Sequence, residues 1–209
     1  MEVDRMRNAI RERGISWLLH FTRADNLESI MRYGLLTREQ LSTLNIEASV
    51  NDNYRYDGCE NAICLSIEFP NYKMFYRLRQ ENPSVEWAVL FIDPIILVDH
   101  DCAYCHDNAG SERVYSIPLS ERRGFQAFER MFAEIPFPTR EELDLEEYMP
   151  TNPQAEVLVF ESISITYIKR ISFNKRDTLN AYRGCIPTNI RVAFDERPFY
   201  PRNDYRYWR

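Results

Sequence analysis

The stretch that most constrains this chain is Thr151-Asn152-Pro153-Gln154-Ala155-Glu156-Val157-Leu158-Val159-Phe160. Proline cannot continue a helix, so Pro153 ends whatever precedes it, and Val157 to Phe160 then read as a short buried strand. Gln154 and Glu156 stand at the mouth of that strand, two residues apart. Side chains alternate along a strand, so both polar groups point to one face. A carboxylate buried without a partner is costly. Glu156 is therefore either a strand-end residue in water or in a salt bridge, or the carboxylate of a cleft with the Gln154 amide beside it.

A chain of 209 residues suits one domain with a sizeable core. Residues 1–13 are charged rather than apolar, and no apolar run reaches the length of a membrane span, so a cytoplasmic protein without membrane contact is expected. Five cysteines, an odd count without an export signal, fit reduced thiols. The net charge of −6 is uneven: residues 134–147 hold six acids and one base, and residues 169–209 hold ten bases and four acids. Such a protein is poorly suited to coating nucleic acid regardless of sequence, yet it can hold a short strand in a local groove.

The apolar pattern predicts a short helix over 5–13, a strand over 17–21, a turn over 22–26 and a helix from Asp25 with Leu27, Ile30 and Met31 on one face, stopped by Gly34. Thr37 and Gln40 have capping-box form at the start of another helix. Residues 46–60 are polar and turn-like. Strands are expected over 62–67, 87–93, 156–161 and 168–173, and helices over 70–79, 123–135 and 175–183. Phe125, Phe128 and Phe132 have the helical spacing of a core face, and the acidic residues 136–150 read as a long connecting loop. Strands and helices mixed without a regular βαβ rhythm indicate an α+β fold in a single domain.

Cys102-Ala103-Tyr104-Cys105-His106 matches the c-type haem attachment pattern, which requires export, and zinc held by Cys102, Cys105, His106 and His100 is chemically possible. The other cysteines are scattered, so a reduced loop with incidental thiols and no bound metal is the expectation. Only six glycines occur, and none has the spacing of a phosphate-cradling loop. Residues 197–209 interleave aromatics with arginines, the residue types that stack on unpaired bases and track phosphates. Packing of this tail across the body is the competing reading. By themselves, His20 reads as a hydrogen-bonded core histidine and Arg55 as a surface arginine paired with Asp52 or Asp57.

Taken together these residues resemble the DarT family of DNA ADP-ribosyltransferase toxins. His20-Phe21-Thr22 with Asn26-Leu27, Ile30 and Gly34-Leu35 is similar to the family's N-terminal block. The Asn51 to Asp57 turn, Leu65-Ser66-Ile67, and Phe69-Pro70 through Met74-Phe75-Tyr76 follow in the family's order. Gln154 to Val159 resembles its catalytic-glutamate strand, and Arg202 to Trp208 its tail.

The resemblance implies a single ADP-ribosyltransferase-like domain with a split mixed β-sheet core and flanking helices. It implies transfer of ADP-ribose from NAD, used as a co-substrate, to a base in single-stranded DNA. Glu156 would stabilise the charge that develops on the ribose, with His20 and Arg55 as its catalytic companions. His20, Phe21, Thr22, Asn26, Leu27, Arg55, Met74, Phe75 and Tyr76 would bind NAD, and Gln154, Arg202, Tyr205 and Trp208 the DNA. Asn108-Ala109, in the block from Cys102, is similar to the guanine-modifying branch more than to the thymine-modifying one. The biological role implied is the toxin of a toxin–antitoxin or phage-defence pair, opposed by an antitoxin of macrodomain or related glycohydrolase type. Two other readings stand beside it: a transferase of the same fold acting on RNA or protein, and a non-catalytic nucleic-acid-binding module.

Overall fold

Trp87-Ala88-Val89-Leu90-Phe91-Ile92 is buried at every position, so this strand needs cover on both of its faces. The computed structural model, which describes residues 2–50, 58–59 and 61–208, supplies that cover. In chain order the elements are α1 (Glu2–Arg13), β1 (Leu18–Arg23), α2 (Leu27–Tyr33), α3 (Arg38–Thr43), β2 (Ile63–Ile67), α4 (Tyr72–Glu81), β3 (Trp87–Ile92) and α5 (Ile96–Asp99). There follow β4 (Cys102–Cys105), α6 (Glu112–Tyr115), α7 (Gly124–Arg130), β5 (Glu156–Val159), β6 (Ile168–Phe173), α8 (Arg176–Tyr182) and β7 (Arg191–Phe194).

The strands form one mixed seven-stranded sheet in the order β4-β5-β2-β1-β3-β6-β7, with only β6 and β7 parallel. Alternation along each strand divides the core in two. Leu18, Leu90 and Ile92 pack with Met6, Leu27, Ile96 and Phe128, from the helices on one face. Leu19, Trp87, Val89 and Phe91 pack with Phe75 and Leu78 of α4 and with Phe199 near the C-terminus. The sheet is split at its centre. β1 pairs with β3 along its whole length, but with β2 only at Leu18↔Ile67 and Leu19↔Ser66.

Most expected elements form within a residue or two of their predicted bounds. The capping box at Thr37 and Gln40 is present with both of its hydrogen bonds. The Asn51 to Asp57 turn lies outside the described residues. The segment around Cys102 is a correction: it is the buried edge strand β4, not a loop. Cys102 packs in the large core and Cys105 in a separate small cluster with Ala109 and Leu158, because residues three apart on a strand face opposite ways. Burial, with Asp101 and Glu161 nearby, pushes the Cys102 thiol up to about 12. A protonated thiol is a poor metal ligand, and no cluster of three or more His, Cys, Asp or Glu side chains forms a metal-binding group among the described residues. β7 is a second strand that the sequence did not announce.

Gly34 closes α2 with φ +81°, and a Cβ placed there would lie 2.4 Å from the carbonyl oxygen of Ile163. The same backbone is bridged to Leu35, so it cannot retreat. Gly34→Ala should therefore cost about 2–4 kcal/mol. The expected readout is a lower urea midpoint with an unchanged slope.

Candidate active site

Beyond Leu19 and Ser66 the β1–β2 ladder ends, and a cavity of about 710 Å³ opens where the strands part. That volume is within the range of small-molecule sites, roughly 300–1,000 Å³. His20 spans the gap: its Nδ1 lies 2.9 Å from the carbonyl oxygen of Cys64. A carbonyl only accepts, so Nδ1 carries the proton and Nε2 keeps its lone pair. Burial lowers the His20 pKa, opposed by the Cys64 hydrogen bond, and the ring is neutral near neutral pH.

Glu156, the first residue of β5, is buried on the opposite wall. Its Oε1 accepts from the Asn71 side-chain amide at 3.4 Å. Its Oε2 accepts from the Ala109 backbone N–H at 2.8 Å and from the Asn108 side-chain amide at 3.4 Å. Those donors offset the desolvation of the carboxylate. Asn71 also caps α4, its Oδ1 accepting from Met74 N at 3.2 Å, so one amide fixes both the helix start and the glutamate.

His20, Phe21, Thr22, Asn26, Met74, Gln154 and Glu156 all line this cavity. Gln154 precedes β5 and reaches the cavity from a turn, not by strand alternation. The Asn26 amide is engaged locally, donating to Thr22 Oγ1 and Ser49 O and accepting from Ser49 N, so it ties the 45–50 loop to the cavity floor. Phe21 stacks on Phe75 at 4.5 Å between ring centroids and joins the cavity to the aromatic core. Arg55 lies outside the described residues.

Six predicted site residues stand elsewhere. Leu27 is fully buried beneath α2 in the main core. Met74, Phe75 and Tyr76 cannot share a face, since helix positions rotate about 100° per residue. Met74 faces the cavity with Lys73 and Arg77, Phe75 enters the core on the other side, and Tyr76 is 57% exposed outside it. Arg202 is 2% exposed and inside the fold. It pairs with Asp204 and donates to the carbonyls of Pro150 at 2.7 Å and Thr151 at 3.0 Å. Trp208 donates its indole N–H to the same Asp204 at 2.7 Å, and the Tyr205 carbonyl accepts from Tyr72. The tail is thus packed on the body, and neither Tyr205 nor Trp208 lines the cavity.

Sequence reasoning missed Asn71, Lys73, Arg77, Asp107 and Ser111, which the fold brings to or beside the cavity. A cap signal ahead of α4 was available for Asn71. Nothing in the sequence pointed to its second partner, 85 residues away.

A family model described as ssDNA thymidine ADP-ribosyltransferase, DarT, matches residues 19–205. The chain belongs to the DarT family. Among solved structures, DarTG of Thermosipho africanus in complex with ADP-ribose superposes with a TM-score of 0.64 at 19% identity, over 90% of this chain and 52% of that one. DarT of Thermus sp. 2.9 in complex with NAD+ gives a TM-score of 0.55 at 15% identity, over 88% of this chain and 98% of that one. The same Thermus protein in complex with ADP-ribosylated ssDNA gives 0.55 at 15% identity, over 90% and 97%. The chain spans about half the length of the Thermosipho chain. No curated protein matches it by sequence. At these identities the superpositions establish the DarT fold. Among the described residues, no helix is long and apolar enough to cross a membrane.

Two outcomes follow for the DarT site. Arg202→Ala leaves the Asp204 carboxylate buried without its guanidinium and should cost about 3–5 kcal/mol of stability. Chemical denaturation reads that loss, and any change in DNA affinity should vanish once the folded fraction is matched. For His20 the folded pKa is depressed below its ordinary 6.5. As pH falls below 6.5, the unfolded chain binds a proton that the folded chain refuses, so stability falls until the folded pKa is reached. His20→Gln should flatten that part of the stability–pH curve.

Proposed function

We propose that this DarT-family protein transfers ADP-ribose from NAD to a base of single-stranded DNA. The observation that carries the reading is Glu156, a buried carboxylate held by backbone and amide donors, in the same cavity as a neutral His20. The family description and the Thermus complexes with NAD+ and with ADP-ribosylated ssDNA support the same reaction.

The residues present fit NAD as co-substrate. The cavity is large enough for most of such a ligand and mixes apolar wall with polar groups. NAD supplies the ADP-ribosyl group and a nicotinamide leaving group. Glu156 accepts from a ribose hydroxyl and places its negative charge where positive charge develops on the sugar. Because its donors already hold it, the carboxylate need not reorganise as that charge appears. His20 offers Nε2 as an acceptor to a second hydroxyl, its tautomer fixed by Cys64. Met74 and Phe21 give apolar wall on the α4 side, Lys73 and Arg77 bring positive charge to the same rim, and Gln154 faces the incoming base. Arg55 is assigned to the pyrophosphate by resemblance.

The role that accompanies this chemistry is the toxin of a toxin–antitoxin or phage-defence pair in the cytoplasm, its mark removed by an antitoxin of macrodomain or related glycohydrolase type. As to the base, the family description names thymidine. Asn108-Ala109 resembles the guanine-modifying branch. In this fold that block contacts the carboxylate of Glu156, a duty indifferent to the base.

Incubation with NAD and a mixed-sequence single-stranded oligonucleotide, analysed by intact mass, should show addition of ADP-ribose, and fragmentation then names the base. Glu156→Ala should retain its fold and lose transfer by about 10²–10³-fold or more. Arg55→Ala should also cripple turnover. Label on RNA or protein with the oligonucleotide unmodified would overturn the DNA assignment.

A further inference from the structure

Transfer to a base nitrogen must release a proton, and the residues described so far give it no destination. Among the described residues lining the cavity, the carboxylates and imidazole are Glu156, Asp107 and His20. Glu156 is a poor receiver, since Asn71 holds one oxygen and Asn108 and Ala109 the other, and protonating either would weaken a bond that keeps it in place. His20 is a poor receiver because the burial that keeps its ring neutral also opposes its protonation.

Asp107 differs from both. It is 8% exposed, and it lines the cavity immediately before the two residues that hold Glu156. Its Oδ1 accepts from the Asn108 N–H at 2.7 Å, and no hydrogen bond from the described residues reaches Oδ2. Ser111 stands in the same wall, and its buried hydroxyl has no hydrogen-bond partner among the described residues. Among the described residues, a carboxylate with an uncommitted oxygen and an unsatisfied hydroxyl thus line the same cavity as the glutamate.

We propose that Asp107 is the general base that takes the proton of the acceptor N–H, with Ser111 holding the base or a bridging water against it. This rests on the transfer reaction proposed above. The acceptor nitrogen bonds to the anomeric carbon of the ribose as the bond from that carbon to the nicotinamide nitrogen breaks. The glycosidic electron pair leaves with nicotinamide, which becomes neutral. The N–H proton passes to Asp107 and from there to water, so atoms and charge balance. Two carboxylates of one cavity then divide the work, one stabilising charge and one moving a proton.

The test uses the full chain, NAD and a mixed-sequence single-stranded DNA oligonucleotide. Asp107→Asn keeps the shape of the side chain and the acceptor for the Asn108 N–H. Its kcat should fall about 10²–10⁴-fold. The rate should lose its rise with pH on the acid side, and NAD should still raise the melting temperature as it does for the parent protein. Asp107→Glu should recover part of the rate and restore the acid limb. If Asp107→Asn matches the parent in rate and pH profile, Asp107 is not the base. If its loss of rate is matched by loss of NAD stabilisation, Asp107 serves binding or structure, and the assignment again fails. A parent protein that binds NAD but leaves the oligonucleotide unmodified overturns the DNA-transfer reading itself, and this assignment with it.

Discussion

A buried carboxylate at the first residue of β5 sets the terms for the rest of this molecule. Glu156 is buried, and among the described residues donors that offset its desolvation reach it from two separate pieces of chain. One is Asn71, ahead of α4, and the other is the Asn108-Ala109 backbone and side chain after β4. Both must be delivered to within hydrogen-bonding distance of one side chain. The position of α4 against the sheet and the pairing of β4 with β5 are thus conditions for the site as well as for the core.

The same carboxylate needs a fixed backbone behind it. Two arginines within the fold provide this. Arg140 donates to the carbonyls of Glu146 and Met149 and to the Thr151 hydroxyl, which in turn donates to Ala133 O. Arg202 comes from the C-terminal end and donates to Pro150 O and Thr151 O. The acidic segment leading into β5 is therefore held through its carbonyls. The acidic segment that reads as a connecting loop in the sequence thus has a pinned backbone. Arg202 shows the general point that a guanidinium near a candidate site can be spent on the protein itself.

The elements themselves were largely legible. β1, β2, β3, β5 and β6 are apolar runs with clear ends, and α2, α3 and α4 have caps or stops that act over a few residues. β4 and β7 were not legible. Cys102-Ala103-Tyr104-Cys105 has little of the β-branched bias of a strand, and Arg191-Val192-Ala193-Phe194 is a partly exposed edge. Each is a strand because a neighbour offers an edge to pair with, β5 in one case and β6 in the other.

The sequence by itself determined which segments could be buried, that Glu156 would open a strand, and through its resemblance which family the chain joins. Those properties are local: apolar period, proline and glycine breaks, and short motifs in order. The tertiary structure alone decided that the sheet splits after Leu19 and Ser66, and that His20 reaches Cys64 across the gap. It also decided that Arg202 is a brace, that Phe75 and Tyr76 turn away while Met74 turns in, and that Asp107 lines the same cavity as the glutamate. The physical reason is that each depends on a partner remote in sequence, and no local pattern of residues encodes which distant carbonyl, amide or edge will arrive.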